Sequence, residues 1–232
     1  MVMNSILKDV MKTFRVPEKH VGMFAYGSLM SRELHARFSD TDYTGPFLPA
    51  HIWGYRRSWT FAWPCDIPFP DADGNCYREY IIEGVDRIYP KHLHFLNIRE
   101  DPDSRLNGVL FLVPEDALPV YDAYELGYER IDIGESLTDH LIEGGPVFAY
   151  RALPFFDKQP VPDPKRNIVD KSYLERIRET LAHWGSAFEK AYQKSTLAVD
   201  PGIVREVHSE FWNDPPMEKF EKFRERYNHP GG

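Results

Sequence analysis

Met23-Phe24-Ala25-Tyr26-Gly27-Ser28-Leu29-Met30 opens as an unbroken apolar run, meets a Gly-Ser step, and continues as Ser31-Arg32-Glu33-Leu34, which has the composition of a first helical turn. An apolar run that stops at glycine reads as a buried strand turning sharply, because glycine reaches backbone angles closed to residues with a Cβ. Such a turn aims successive backbone N–H groups into one concavity. Those donors, with the helix N-terminus behind them, favour an anionic or oxygen-rich group. Tyr26 stands at the rim. A strand ending in Gly-Ser is more often an ordinary turn, so these residues alone leave both readings open.

The surroundings narrow the choice. With 232 residues the chain can bury one large core or two small ones, and 42% hydrophobic with 14% aromatic residues describes a globular protein. The formal net charge is −8, and no basic stripe interleaved with aromatics is present, which argues against a nucleic-acid partner. A small or cationic substrate is compatible with that balance. The two cysteines, Cys65 and Cys76, fit a reducing cytosol better than a stapled secreted domain. Met1 to Lys12 reads as a short amphipathic helix without signal-peptide character, and no apolar run reaches membrane-spanning length. A soluble cytoplasmic protein is the expectation.

Pro49 to Phe61, with Ile52, Trp53, Tyr55, Trp59 and Phe61, reads as an aromatic-rich strand. Arg56 and Arg57 lie in its middle, one expected in solvent and the other able to reach the site. Residues 62 to 80, with Pro64, Pro68, Pro70 and Gly74, read as a long loop, and a calcium loop there is rejected for want of a closing glutamate. His92 and His94 stand two apart, on one face of a strand, without a third ligand nearby; packed or solvated imidazoles are a better account than a metal site.

Leu106-Asn107-Gly108-Val109-Leu110-Phe111-Leu112-Val113 is the clearest buried strand. Pro114 breaks it, and a short helix follows with Asp116 as N-cap, Pro119 in its first turn and Gly127 at its end. Leu118, Tyr121, Asp122 and Glu125 fall three and four apart, so they share one inward stripe. Glu125 is then a carboxylate turned toward the interior, where burial raises its pKa and suits it to general acid/base work. A salt bridge to Arg130 is the plain alternative.

Tyr128 to Ile133 and Pro146 to Leu153 read as further strands. A long helix is expected from Ser172 to about residue 193, opened by a Ser172/Glu175 capping box, with Leu174, Ile177, Leu181, Trp184 and Phe188 as its core stripe. Tyr173 stands on its first turn, where a hydroxyl could face a pocket shared with the Gly27 loop. A last charged segment, Glu218 to Tyr227, has Phe220, Phe223 and Tyr227 on one side and could cover the domain or serve a homodimer contact.

Phe24-Ala25-Tyr26-Gly27-Ser28-Leu29 and Tyr121-Asp122-Ala123-Tyr124-Glu125-Leu126-Gly127-Tyr128, taken together and in this order, resemble the γ-glutamyl cyclotransferase family. Gly108-Val109-Leu110-Phe111 resembles the strand that precedes that family's catalytic glutamate, and Ser172-Tyr173-Leu174 its later tyrosine. The similarity spans roughly residues 22 to 193. It departs from the family where Val169-Asp170-Lys171-Ser172 replaces a Pro-Ser pair, in an insertion at about 62–104, and in a C-terminal extension from 195. The N-terminal 1–20 segment forms an extension as well.

The resemblance implies a mixed α/β (α+β) fold, a small partly closed β-barrel with flanking helices. It also implies Glu125 as the general acid/base. Tyr26, Gly27, Ser28, Leu29 and Tyr173 would then bind a small-molecule γ-glutamyl substrate, with no metal or organic cofactor. The reaction would close the γ-glutamyl group into 5-oxoproline and free an amine or amino acid. Glutathione, γ-glutamyl amino acids and other γ-glutamyl amides all carry the group in question. A non-catalytic binding module on the same fold is the alternative.

Overall fold

A computed structural model describes residues 12–36, 38, 43–65, 69–71, 74–82, 90–164 and 166–212 of the chain; the side chains of 66–89 and 208–212 are not included. The strands are β1 Lys12–Arg15, β2 His20–Ala25, β3 Phe47–Pro64, β4 Phe69–Asp71, β5 Gly74–Ile82, β6 His92–Pro114, β7 Tyr128–Asp132, β8 His140–Glu143, β9 Val147–Ala152, β10 Asn167–Asp170, β11 Val204–Arg205 and β12 Val207–Trp212. The helices are α1 Arg32–His35, α2 Leu118–Tyr124, α3 Lys171–Trp184 and α4 Ser186–Lys194. This is the mixed α/β composition expected; among the described residues no sheet closes on itself. No described helix is long and apolar enough to cross a membrane.

The chain divides into two compact units, the first drawn from 1–58, 96–155 and 176–198 and the second from 59–95, 156–175 and 199–232. In the first, β2 runs antiparallel to β6, with Ala25 opposite Val109 and Met23 opposite Phe111. On its other edge β2 is parallel to β9, with Met23 opposite Phe148, and β9 carries β7 antiparallel. A strand flanked on both edges and covered on both faces has no polar side to show. Hence Val21, Met23, Phe24 and Ala25 read as a continuous apolar run and are all buried. Burying each large side chain of this kind contributes about 1.5–3 kcal/mol. Gly108 is required by the same pairing: a Cβ there would lie 2.3 Å from the Ala25 carbonyl oxygen.

In the second unit β10 lies parallel between β11 and the start of β6. Phe61, Trp63 and Phe156 stack with ring centroids 5.4–6.4 Å apart. β4 pairs antiparallel with β5, Asp71 opposite Gly74, and β12 adds antiparallel to β5. Much of the long loop read at 62–80 is therefore strand, since Pro64 falls at the end of β3 and Pro70 on the short β4, where a missing N–H is tolerated, while Pro68 lies outside the described residues.

Other local expectations are corrected. Lys12–Arg15 is not helical; it pairs in parallel with β8, while Met1 to Met11 lie outside the described residues, as does the Glu218–Tyr227 segment. Asp116 makes no cap bond, and a single 3₁₀ turn, Glu115–Ala117, leads into α2. The Ser172/Glu175 capping box gives way to Asp170, whose carboxylate accepts the Ser172 N–H at 2.8 Å and its hydroxyl at 2.7 Å. The expected long helix is two helices, because Gly185 at φ +83 ends α3 before α4 begins.

Candidate active site

The candidate site is assembled in the first unit where β2 ends. Tyr26 is buried, and its hydroxyl donates to the Tyr150 carbonyl on β9 at 2.7 Å. Gly27 turns the chain at φ −131, ψ −135 into a single 3₁₀ turn, Ser28–Met30. That turn is closed by Met30 N–H to the Gly27 carbonyl and Ser31 N–H to the Ser28 carbonyl, both 3.0 Å. The first donors of such a turn have no partner within it. Among the described residues the N–H groups of Gly27, Ser28 and Leu29 make no hydrogen bond.

Arg57 holds this turn from behind. Its neighbour Arg56 faces outward near Asp101, whereas Arg57 is fully buried. Its Nε donates to the Tyr26 carbonyl at 2.8 Å. Nη1 donates to Thr196 Oγ1 at 2.8 Å and Ser195 Oγ at 3.2 Å; Nη2 donates to the Asn107 carbonyl. The guanidinium also lies 3.6 Å from the centroid of the Tyr192 ring. A charge this deep is tolerated because carbonyl and hydroxyl oxygens and a π-face surround it.

Glu125 is the residue that ends α2. Its N–H donates to the Tyr121 carbonyl at 2.9 Å, and its own carbonyl accepts from Tyr128 N–H at 3.0 Å. Gly127, at φ +91, then reverses the chain into β7, and its carbonyl accepts from Leu153 N–H at 2.9 Å. The Glu125 side chain is partly buried. Among the described residues it makes no hydrogen bond or ion pair; Arg130, the expected partner, goes to Asp122 instead, at 3.0 Å. Burial alone, without compensation, pushes the Glu125 carboxyl up to about 8.

Tyr150 stands between these parts. Its hydroxyl donates to Asp122 Oδ1 at 2.8 Å. Burial raises its pKa, and so do the bond to Asp122 and the negative charges of Asp122 and Glu125. One tyrosine thus meets Tyr26 through its carbonyl, and its hydroxyl senses the negative charge of Glu125. His35 makes a second link, within 2.9 Å of both the Leu29 carbonyl and the Tyr121 hydroxyl. Neither residue was singled out from sequence. His35 sits in a short helix among aromatics, and Tyr150 in an ordinary strand; only the pairing of β9 with β2 reveals Tyr150.

The structure brings Tyr26, Gly27, Ser28, Leu29 and Glu125 into one unit. Tyr173 belongs to the other, where it is buried with its ring edge-on to Trp59 and Phe95, centroids 6.1 and 5.1 Å away. His92 and His94 do share one side of β6, their rings 6.0 Å apart. Both nitrogens of His94 are engaged, by the Trp59 carbonyl at 3.0 Å and Asn167 Oδ1 at 2.7 Å. Burial and the nearby Lys158 push His92 down to about 3. No cluster of three potential metal ligands occurs among the described residues.

No protein-family model and no curated protein matches the chain. Solved structures do. A γ-glutamyl cyclotransferase is 12% identical, covering 89% of this chain and 99% of its own, with a TM-score of 0.47. An uncharacterized protein from Homo sapiens is 14% identical, covering 90% and 99%, with a TM-score of 0.46. A γ-glutamyl cyclotransferase specific to glutathione, from yeast, is 14% identical, covering 77% and 98%, with a TM-score of 0.43.

Proposed function

We propose that the chain is a γ-glutamyl cyclotransferase whose first unit carries the reaction. The observation that supports this most is Glu125: a carboxyl at a helix end, reachable by water, bearing no partner among the described residues and pushed up to about 8 by burial. A structural carboxylate is normally paired, and the neighbouring Asp122 is. A carboxyl raised this far comes much nearer the range of an α-ammonium, so a proton passes between them with a far smaller uphill step than an ordinary carboxylate would face.

In this reading the unused N–H groups of Gly27, Ser28 and Leu29 receive an oxygen of the γ-glutamyl group, and the buried Tyr26, tied to the Tyr150 carbonyl, holds the turn in place. The ionised Glu125 takes a proton from the substrate's α-ammonium. The freed nitrogen lone pair attacks the γ-carbonyl carbon, forming the ring C–N bond and placing charge on the carbonyl oxygen, where backbone donors can stabilise it. Collapse breaks the bond to the leaving nitrogen, which takes the first proton back from Glu125; the ring nitrogen sheds its second proton by way of the same carboxylate, and the leaving group departs as an ammonium. The products are 5-oxoproline and an amine. The attack is intramolecular, so holding the substrate folded supplies much of the acceleration. Tyr173 as a substrate contact rests on the sequence resemblance alone.

The test is a panel of γ-glutamyl amides, glutathione and γ-glutamyl amino acids among them, assayed by mass spectrometry for 5-oxoproline. Glu125→Gln keeps the size and removes the exchangeable proton. It is expected to lower turnover by about 10²–10⁴-fold while the far-ultraviolet spectrum is unchanged. Full turnover in this variant overturns the mechanism. Open glutamate as product moves the reading to a hydrolase, and calorimetric binding without product to a binding module.

A further inference from the structure

The turn that carries Leu29 and the helix end that carries Glu125 are about a hundred residues apart in the chain, and His35 lies between them. It is 1% exposed and enclosed by the rings of Tyr43, Phe47, Phe111 and Tyr121. Both ring nitrogens are used: Nε2 lies 2.9 Å from the Leu29 carbonyl oxygen and Nδ1 2.9 Å from the Tyr121 hydroxyl. A carbonyl oxygen can only accept, so Nε2 must carry a hydrogen. Burial pushes the imidazole down to about 4; the Leu29 bond opposes this and the Arg32 charge adds to it. A neutral ring protonated at Nε2 has only a lone pair at Nδ1. The Tyr121 hydroxyl therefore donates. The proton order is settled along the whole line, from Tyr121 O–H to Nδ1 and from Nε2–H to Leu29. Tyr121 in turn accepts the Glu125 N–H at its carbonyl, at 2.9 Å.

We infer that His35, as its Nε2–H tautomer, is a positioning residue that sets the reach from the Ser28–Met30 turn to the Glu125 carboxyl. The inference rests on the reading of Glu125 as the group that moves the proton. An ordinary buried histidine is satisfied by any donor and acceptor within reach. Here the acceptor belongs to the turn proposed to hold the substrate oxygen, and the donor to the helix turn that fixes Glu125. Both ends of a reaction that tolerates little misplacement are tied to one rigid ring.

The decisive variant is Tyr121→Phe, which removes one oxygen and leaves the ring within the aromatic cluster. His35→Gln and the double variant complete a cycle. Tyr121→Phe is expected to lower kcat for 5-oxoproline release about tenfold while KM moves much less, and the double variant to be no worse than the poorer single one. Nitrogen-15 spectra of the wild-type protein should show the His35 hydrogen on Nε2, and the amide signals of Ser28 to Met30 should move in Tyr121→Phe. A kcat for Tyr121→Phe within about twofold of wild type, or a ring protonated at Nδ1, overturns the inference. If the wild-type chain releases no 5-oxoproline from any γ-glutamyl amide, the functional reading fails separately. The spectra then decide alone: shifted Ser28–Met30 amides in Tyr121→Phe uphold the tie between turn and helix, and stationary ones break it.

Discussion

Glu125 and Asp139 are both half-sheltered carboxyls of the first unit, and their surroundings push them in opposite directions. Burial works against the charge of each. At Asp139 it is outweighed by His51, which gives a backbone N–H and a ring nitrogen at 2.9 Å each, and the acid is held at about 2. At Glu125 no group among the described residues answers burial, and the acid rises to about 8. The contrast teaches that depth alone does not tune a carboxyl; the presence or absence of a donor does. Asp139 fastens the segment before β8 to β3. Glu125 has no such fastening among the described residues.

The largest effect that sharpens this comparison is on stability. The folded pKa of Glu125 lies above the ordinary value of 4.5, so between those limits the unfolded chain releases a proton that the folded one keeps. Stability therefore falls as pH rises from about 4.5 to 8, by about 3–5 kcal/mol, and is level above it. Urea unfolding of Glu125→Gln should lack that fall; an unchanged pH profile breaks the contrast. Next in size is catalysis. With an ionised base required, kcat/KM should rise about tenfold per pH unit below about 8 and then level, a span of about fiftyfold between pH 6 and 8. A limb ending near pH 4–5 would mean that Glu125 has a partner in solution.

Asp139 should respond with the opposite sign. Its folded pKa lies below the ordinary 3.8, so its contribution is complete above about 4 and is lost as pH falls through about 2. Its carboxyl is 33% exposed, so solvent screening trims the effect to about 1–2 kcal/mol, read as a lowered unfolding midpoint for Asp139→Asn at pH 7. The smallest change belongs to Glu100, which meets Arg151 at 3.0 Å but is 74% exposed. Glu100→Gln should cost less than about 0.5 kcal/mol. A larger loss would show that partnership governs these acids even in open solvent.

Much of the first unit was legible because its signals are local. The apolar runs at Met23–Ala25 and Val109–Val113 announce strands buried on both faces, and the three-and-four spacing through Tyr121 and Glu125 announces the helix. The partner of Arg130 was not legible: Asp122 and Glu125 stand on the same helical stripe, and only the turn at Gly127 decides which one it reaches. Pro64 and Pro70 read as loop residues because their compatibility with strand ends and short strands depends on which edge is paired. Asp170 outcompeted the Ser172/Glu175 capping box by lying one residue before the helix with a carboxylate in range. Tyr150 and His35 became visible only through long-range pairing, which leaves no periodic trace in the chain.

The cluster around Arg57 bears on the order of assembly. Its donors gather Tyr26, Asn107, Ser195 and Thr196, and the bond to Ser195 spans 138 residues. Such a closure is among the slowest and most entropically demanding steps available to a chain of this length. During synthesis the turn at Gly27 precedes Ser195 and Thr196 by most of the length of the unit, so the contacts that immobilise it are made long after it. The turn is therefore not fully fastened until α4 and the residues just after it have been delivered.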